Sequence, residues 1–190
     1  GTSLWFAVNA VMPDLQRELG WATSAVGTLT SALQFGFIAG TLVFALLAIA
    51  DRFAPRRVFL VCALAGAACT VGAWWTVRDY TSLLLWRFAT GFFLAGIYPV
   101  GMKIAAQWYS KGLGAALGLL IAALVVGSAS AHALRALGDA LPWPTLMLGV
   151  AALAAAGGVL LYAALGDPPG AVARVSQLQW RALGTVWTDP

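Results

Sequence analysis

Few side chains in this sequence can do chemistry, and most of them sit in strongly apolar surroundings. Arg87 stands in the run Leu83-Leu84-Leu85-Trp86-Arg87-Phe88-Ala89-Thr90-Gly91. A guanidinium kept among such neighbours meets planar oxyanions through two parallel hydrogen bonds, so it marks a place for an anion. The competing reading is snorkelling to the outer surface. Tyr98 lies about 20° from the Arg87 face of an ideal helix and can line the same cavity. Lys103 falls roughly 160° away and reads as a side chain that snorkels toward the cytoplasm. His132, in Gly127-Ser128-Ala129-Ser130-Ala131-His132, offers an imidazole that can take up a proton or can serve helix packing at an interface. Gln34 and Asn9 are amides within two other apolar runs. Each can hydrogen-bond a solute or a neighbouring helix.

Other chemistries are poorly served. Ser128, Ser130 and His132 follow one another along one helix. A protease dyad needs its nucleophile presented opposite the base, beside an oxyanion hole. Cys62 and Cys69 are separated by about 10 Å of helical rise, too far for a disulfide. No CxxC pair or metal-ligand spacing is present, so no metal and no cofactor is expected. The acidic residues Asp14, Glu18, Asp51, Asp79, Asp139, Asp167 and Asp189 all read as lying in connections or tails. Positive charge without partnered acids favours an anionic solute.

These residues need elements to hold them, and composition says which solvent those elements face. Of 190 residues, 61% are hydrophobic and 9% charged, with a mean hydropathy of +0.85. A soluble domain carries roughly a quarter charged residues. Lipid must therefore solvate this chain. The net charge of +4 is spread through short connections and gives no clustered nucleic-acid face.

Six apolar segments follow. Gly1 to Met12 is about 18 Å as a helix, short of a full span, and reads as a helix whose beginning is cut off. The others run from about Thr23 to Ala50, Val58 to Val77, Thr81 to Tyr109, Leu113 to Leu137 and Trp143 to Leu165. The predicted fold is all-α, a polytopic membrane helix bundle over residues 1–166. Residues 167–190 read as a cytoplasmic linker in which Trp180, Leu183, Val186 and Trp187 can form an interfacial helix. Thr23 or Ser24 is expected to cap the second helix, and Asp79 or Thr81 the fourth. Pro144 suits a first helical turn.

Arg52, Arg56, Arg57, Lys103, Lys111, Arg174 and Arg181 fall on one side of the spans, and Arg17, Arg78 and Arg135 on the other. The basic excess places the even-numbered connections and the C-terminus in the cytoplasm. Trp21, Trp74, Trp75, Tyr80 and Trp143 form one aromatic belt, Trp108, Tyr109 and Tyr162 the other.

The connection after the second span reads Leu47-Ala48-Ile49-Ala50-Asp51-Arg52-Phe53-Ala54-Pro55-Arg56-Arg57. It resembles the loop signature of the major facilitator superfamily, Gly-x-x-x-Asp-Arg-x-Gly-Arg-Arg. Leu47 and Ala54 replace the two glycines, and Pro55 shifts the basic pair by one. Arg87 with Gly91 resembles the superfamily's fourth-helix pattern. Tyr98-Pro99-Val100-Gly101-Met102-Lys103 and the Gly127 to His132 stretch are similar to bacterial nitrate/nitrite-like or cyanate-like members. The Gly-Pro pair of proton antiporters is absent from the fifth span.

The resemblance implies the N-terminal six-helix half of a secondary transporter in a bacterial inner membrane. It also implies a second half or a pairing chain, and alternating access around a midplane site. Asp51, Arg52, Arg56 and Arg57 are then gating residues. Arg87, Gln34, Asn9, Tyr98 and His132 are candidates for contact with a small anionic solute. With no acid in the spans, a symported proton would ride on His132, on the solute or on the other half. Gly96, Pro99 and Gly101 are hinge positions or packing positions. The rival architecture is a six-helix channel or another non-transport membrane protein. The paired Asn-Pro-Ala motifs of water channels are absent.

Overall fold

A computed structural model describes residues 2–109, 111–137 and 142–166, with backbone alone at 134, 135 and 137. The expected linker 167–190, the Arg135 side chain, Asp139 and the basic residues Arg174 and Arg181 lie outside the described residues.

The described chain is an all-α bundle: α1 (Ser3–Leu19), α2 (Ala25–Leu46), α3 (Ile49–Arg52), α4 (Pro55–Trp75), α5 (Tyr80–Leu94), α6 (Tyr98–Trp108), α7 (Leu113–Leu137) and α8 (Trp143–Ala164). Five stretches are long and apolar enough to cross a bilayer: α2, α4, α5 with α6, α7 and α8. A helix satisfies its own backbone, which hydrocarbon cannot do. The start and end of α7 and the start of α8 coincide with the apolar segments read from sequence. Pro144 lies in the first turn of α8.

The first segment departs from expectation. Its helix does not stop at Met12 but runs through Pro13 to Leu19, where Gly20 closes it in a left-handed conformation (φ 68°). Asp14 therefore lies within α1 at 8% exposure, not in a connection. Arg17 stabilises this last turn, its Nε donating to the Pro13 carbonyl at 3.2 Å and its Nη2 contacting Asp14 at 2.5 Å. Hydropathy ended the span where charge began, but Leu15, fully buried in the core, packs the helix beyond that point.

The fourth span also departs. It breaks after Leu94 into two helices, α5 and α6, joined by a tight turn in which Gly96 and Ile97 donate to Phe93 and Leu94 at 3.0 Å. Pro99 starts α6. A Cβ on Gly96 would lie 2.2 Å from Cys62 Sγ, so only glycine lets the turn pass this close to α4. Both cysteines are free and buried.

Helices pack in pairs: α2 on α5, α4 on α5 and α8, and α1 on α7 and α8. Lipid tails give apolar side chains little reason to associate, so close backbone approach must supply the attraction. It does so between α2 and α5. A Cβ on Gly91 would fall 2.0 Å from the Leu33 carbonyl oxygen, and one on Gly36 2.0 Å from that of Phe88. The buried face of α5 carries Leu83, Arg87, Thr90, Gly91 and Leu94 at helical spacing. Packing through Gly91 thus turns Arg87 inward.

Between α2 and α4, Ala48 is in the left-handed region at φ 49°, and α3 follows it. Asp79 caps α5, accepting from the backbone N–H groups of Thr81 and Ser82. Ser24 flanks α2 without a side-chain cap bond.

Candidate functional site

The centre of the bundle is organised by Arg87, only 2% exposed. Its Nη1 donates to the Leu4 carbonyl at 3.2 Å and its Nη2 to the Trp5 carbonyl at 2.8 Å. Its Nε–H is buried with no hydrogen-bond partner. A buried donor left unmet is costly, and the cost is larger for a charged group. The guanidinium is thus held by two neutral oxygens and has capacity for a further acceptor. It does not snorkel outward.

The segment of α1 that Arg87 grips also walls a hollow of about 330 Å³. Its lining is Thr2, Trp5, Phe6, Phe37, Leu94, Ile97, Tyr98, Leu124 and Ser128. Four of these are aromatic. Trp5 meets Phe37 edge-to-face with ring centres 5.2 Å apart. A second hollow of about 440 Å³ shares Thr2, Ile97, Tyr98 and Leu124 and reaches Trp108 and Tyr109. Together they form one apolar route along α6 and α7.

The sequence-derived residues fall at different distances from this route. Tyr98 lines both hollows. Arg87 lies behind Trp5. His132 is exposed, and its ring stands 5.9 Å from that of Phe6, which lines the first hollow. Asn9 donates from Nδ2 to Thr30 Oγ1 at 3.2 Å, tying α1 to α2. Gln34 is exposed on α2 beside Phe35 and lines neither hollow. The rings of Trp5, Phe6 and Phe37 were not singled out from sequence, because aromatic residues in an apolar span carry no mark of the cavity they face.

Midway along α6, Lys103 pairs with Asp51 and donates to the Ala50 carbonyl at 2.8 Å. Lys103 thus reaches toward the signature loop, the direction in which it was expected to snorkel. One expectation is corrected, since this positive side chain does have an acid partner. Arg56 donates to the Leu165 carbonyl at 3.0 Å and stacks over Tyr162 with its guanidinium carbon 5.2 Å from the ring centre. Arg52 and Arg57 are exposed. The signature loop is therefore fastened to α6 by Asp51 and to the end of α8 by Arg56.

The sequence profile of the Major Facilitator Superfamily matches residues 2–190. The chain belongs to the major facilitator superfamily. Its apolar helices make it a multi-pass membrane protein. A gallate transporter of Pseudomonas putida is 28% identical over 154 residues, 78% of this chain and 34% of the relative. The chain thus spans about a third of that relative's length.

Proposed function

We propose that this chain is the N-terminal half, residues 1–166, of a secondary active transporter for small aromatic carboxylates. Residues 167–190 are the linker to a second half, which completes the path. The carrying observation is the aromatic-walled hollow whose wall is fastened by Arg87. The rings of Trp5, Phe6, Phe37 and Tyr98 suit a flat π-system, and a guanidinium suits the carboxylate attached to it. The similarity to a gallate transporter points to the same class, in place of the nitrate- or cyanate-like anions that local resemblance implied.

The mechanism is a competition for Arg87. In the described state two backbone carbonyls hold it. A carboxylate makes stronger, charge-assisted bonds. Solute entering beside Tyr98 draws the guanidinium away from α1, and binding is thereby coupled to movement of the helix that walls the hollow. Gln34 and Asn9 reach solute when α1 and α2 part. Alternating access follows as the halves rock around the site. The Asp51–Lys103 pair holds one state, and Arg52, Arg56 and Arg57 act with it on conformation. His132, next to Phe6, takes up the symported proton. The protein lies in a bacterial cytoplasmic membrane with its signature loop and linker on the cytoplasmic side.

Counterflow in proteoliposomes tests this reading. Preloaded unlabelled hydroxybenzoate should accelerate uptake of labelled hydroxybenzoate, and uptake should saturate. Linear flux without counterflow would be that of a channel and would overturn the carrier assignment. Equal inhibition by acetate or nitrate would overturn the aromatic one.

A further inference from the structure

At the end of the bundle remote from the Asp51 loop, three membrane helices border a hollow of about 640 Å³. It lies where α4 ends, α5 begins and α8 begins, lined by Trp74, Trp75, Arg78, Asp79, Ser82 and Trp143 among others. None of these residues lines the route assigned to solute. Because α4, α5 and α8 are membrane spans, their junction lies at the level of the lipid headgroups.

The hollow has a polar layout. Trp74 and Trp75 meet edge-to-face at 5.9 Å. Trp75 is 80% exposed, an extreme value for so large an apolar side chain. Trp143 is fixed by its Nε1–H donating to Glu18 at 2.9 Å. Arg78 is exposed and has no ion-pair or hydrogen-bond partner among the described residues. Its sequence neighbour Asp79 is oriented by the α5 cap, where its carboxylate accepts from Thr81 and Ser82. One free guanidinium and one fixed carboxylate thus stand side by side above a floor of indole rings.

We infer that this hollow binds the headgroup of a membrane aminophospholipid, with the phosphodiester on Arg78, the primary ammonium on Asp79 and the glycerol region against Trp74, Trp75 and Trp143. Guanidinium and phosphate match in geometry and charge. A primary ammonium supplies the N–H donors that a carboxylate accepts. Tryptophan is at home where one side is apolar and the other wet. A fully anionic headgroup would place its surplus negative charge against Asp79. A quaternary ammonium would bring no N–H donor to it.

Native mass spectrometry of the full-length protein, released from vesicles holding equal phosphatidylethanolamine, phosphatidylglycerol and phosphatidylcholine, tests the assignment. Wild type should retain phosphatidylethanolamine in preference to both others. Arg78→Gln should lower that retention about tenfold, the worth of one charge-assisted bond. Asp79→Asn keeps a capping oxygen on α5 and should bring phosphatidylethanolamine and phosphatidylcholine to parity. Trp75→Ala, at an exposed position, serves as a second probe that leaves the packing intact and should also lower retention. Equal retention of all three lipids by wild type would overturn the inference, as would unchanged retention of phosphatidylethanolamine by Arg78→Gln. Displacement of the lipid by millimolar inorganic phosphate would do so too, by showing a simple anion site.

Discussion

Arg87 on α5 donates to the main-chain oxygen of Trp5 on α1 at 2.8 Å, so the cation assigned to the solute also fastens the wall of the hollow that receives it. A neutral carbonyl yields to a carboxylate in competition for a guanidinium. Solute should therefore loosen α1. Leu4, at 0% exposure, is the reporter. In a background lacking Cys62 and Cys69, Leu4→Cys should react severalfold faster with a membrane-permeant maleimide when hydroxybenzoate is present. A rate that is unchanged or slower contradicts the exchange of partners.

The Asp51–Lys103 pair is assigned to conformation alone. Its side chains are 37% and 29% exposed, so the pair is worth what a partly solvated ion pair is worth. Asp51→Asn or Lys103→Met should slow turnover by up to about fivefold while leaving KM near wild type. The exchange Asp51→Lys with Lys103→Asp should recover part of the rate. Initial-rate uptake over a range of solute concentrations separates the two parameters. A raised KM with normal turnover would place the pair in the binding site.

Gly91 sets how closely α5 meets α2. Gly91→Ala puts a methyl group 2.0 Å from the Leu33 carbonyl oxygen, where only backbone movement can relieve it. It should cost about 1–3 kcal/mol, read as a lower Tm in detergent. Gly118→Ala on α7, with nothing within 4 Å of the added Cβ, is the control and should be neutral or stabilising. Equal effects at both sites would remove the close-approach argument.

Asp79 gives a pH signature at the other end of α5. Hydrogen bonds from the Ser82 hydroxyl, then from the Ser82 and Thr81 N–H groups, hold its carboxyl below the usual carboxylate range. A folded-state value below the unfolded one means that the cap contributes fully above the unfolded value, near pH 4, and is lost as pH falls through the folded value. Amide exchange in the first turn of α5, corrected for the intrinsic rate, should therefore rise only under acid conditions. Asp79→Asn should remove that dependence, and a transition at neutral pH would contradict it.

The span pattern was legible because a bilayer leaves the backbone no choice but to satisfy itself. That is why α7 and α8 start where the apolar runs start. Arg87 was legible because charge at that depth is rare and costly, and Asp79 because capping is local. The continuation of α1 through Pro13 was hidden, since it goes with burial of Leu15 in the core, a contact that local hydropathy does not weigh. The break at Ala95–Ile97 was hidden for another reason. It depends on how closely Gly96 passes Cys62, a contact between distant parts of the chain. That break makes an ideal-helix phase count unreliable from Arg87 to Lys103, and the Asp51 contact went unseen with it. Tyr98 lies just past the turn and still reaches the hollow.

Uptake of labelled hydroxybenzoate by Arg87 variants in proteoliposomes tests the central claim most directly. Arg87→Lys keeps the charge but loses the planar fork, and should raise KM about tenfold or more. Arg87→Ala should abolish saturable uptake while the protein remains in the membrane fraction. Saturable uptake by Arg87→Ala at the wild-type KM would show that the guanidinium binds α1 and not the solute.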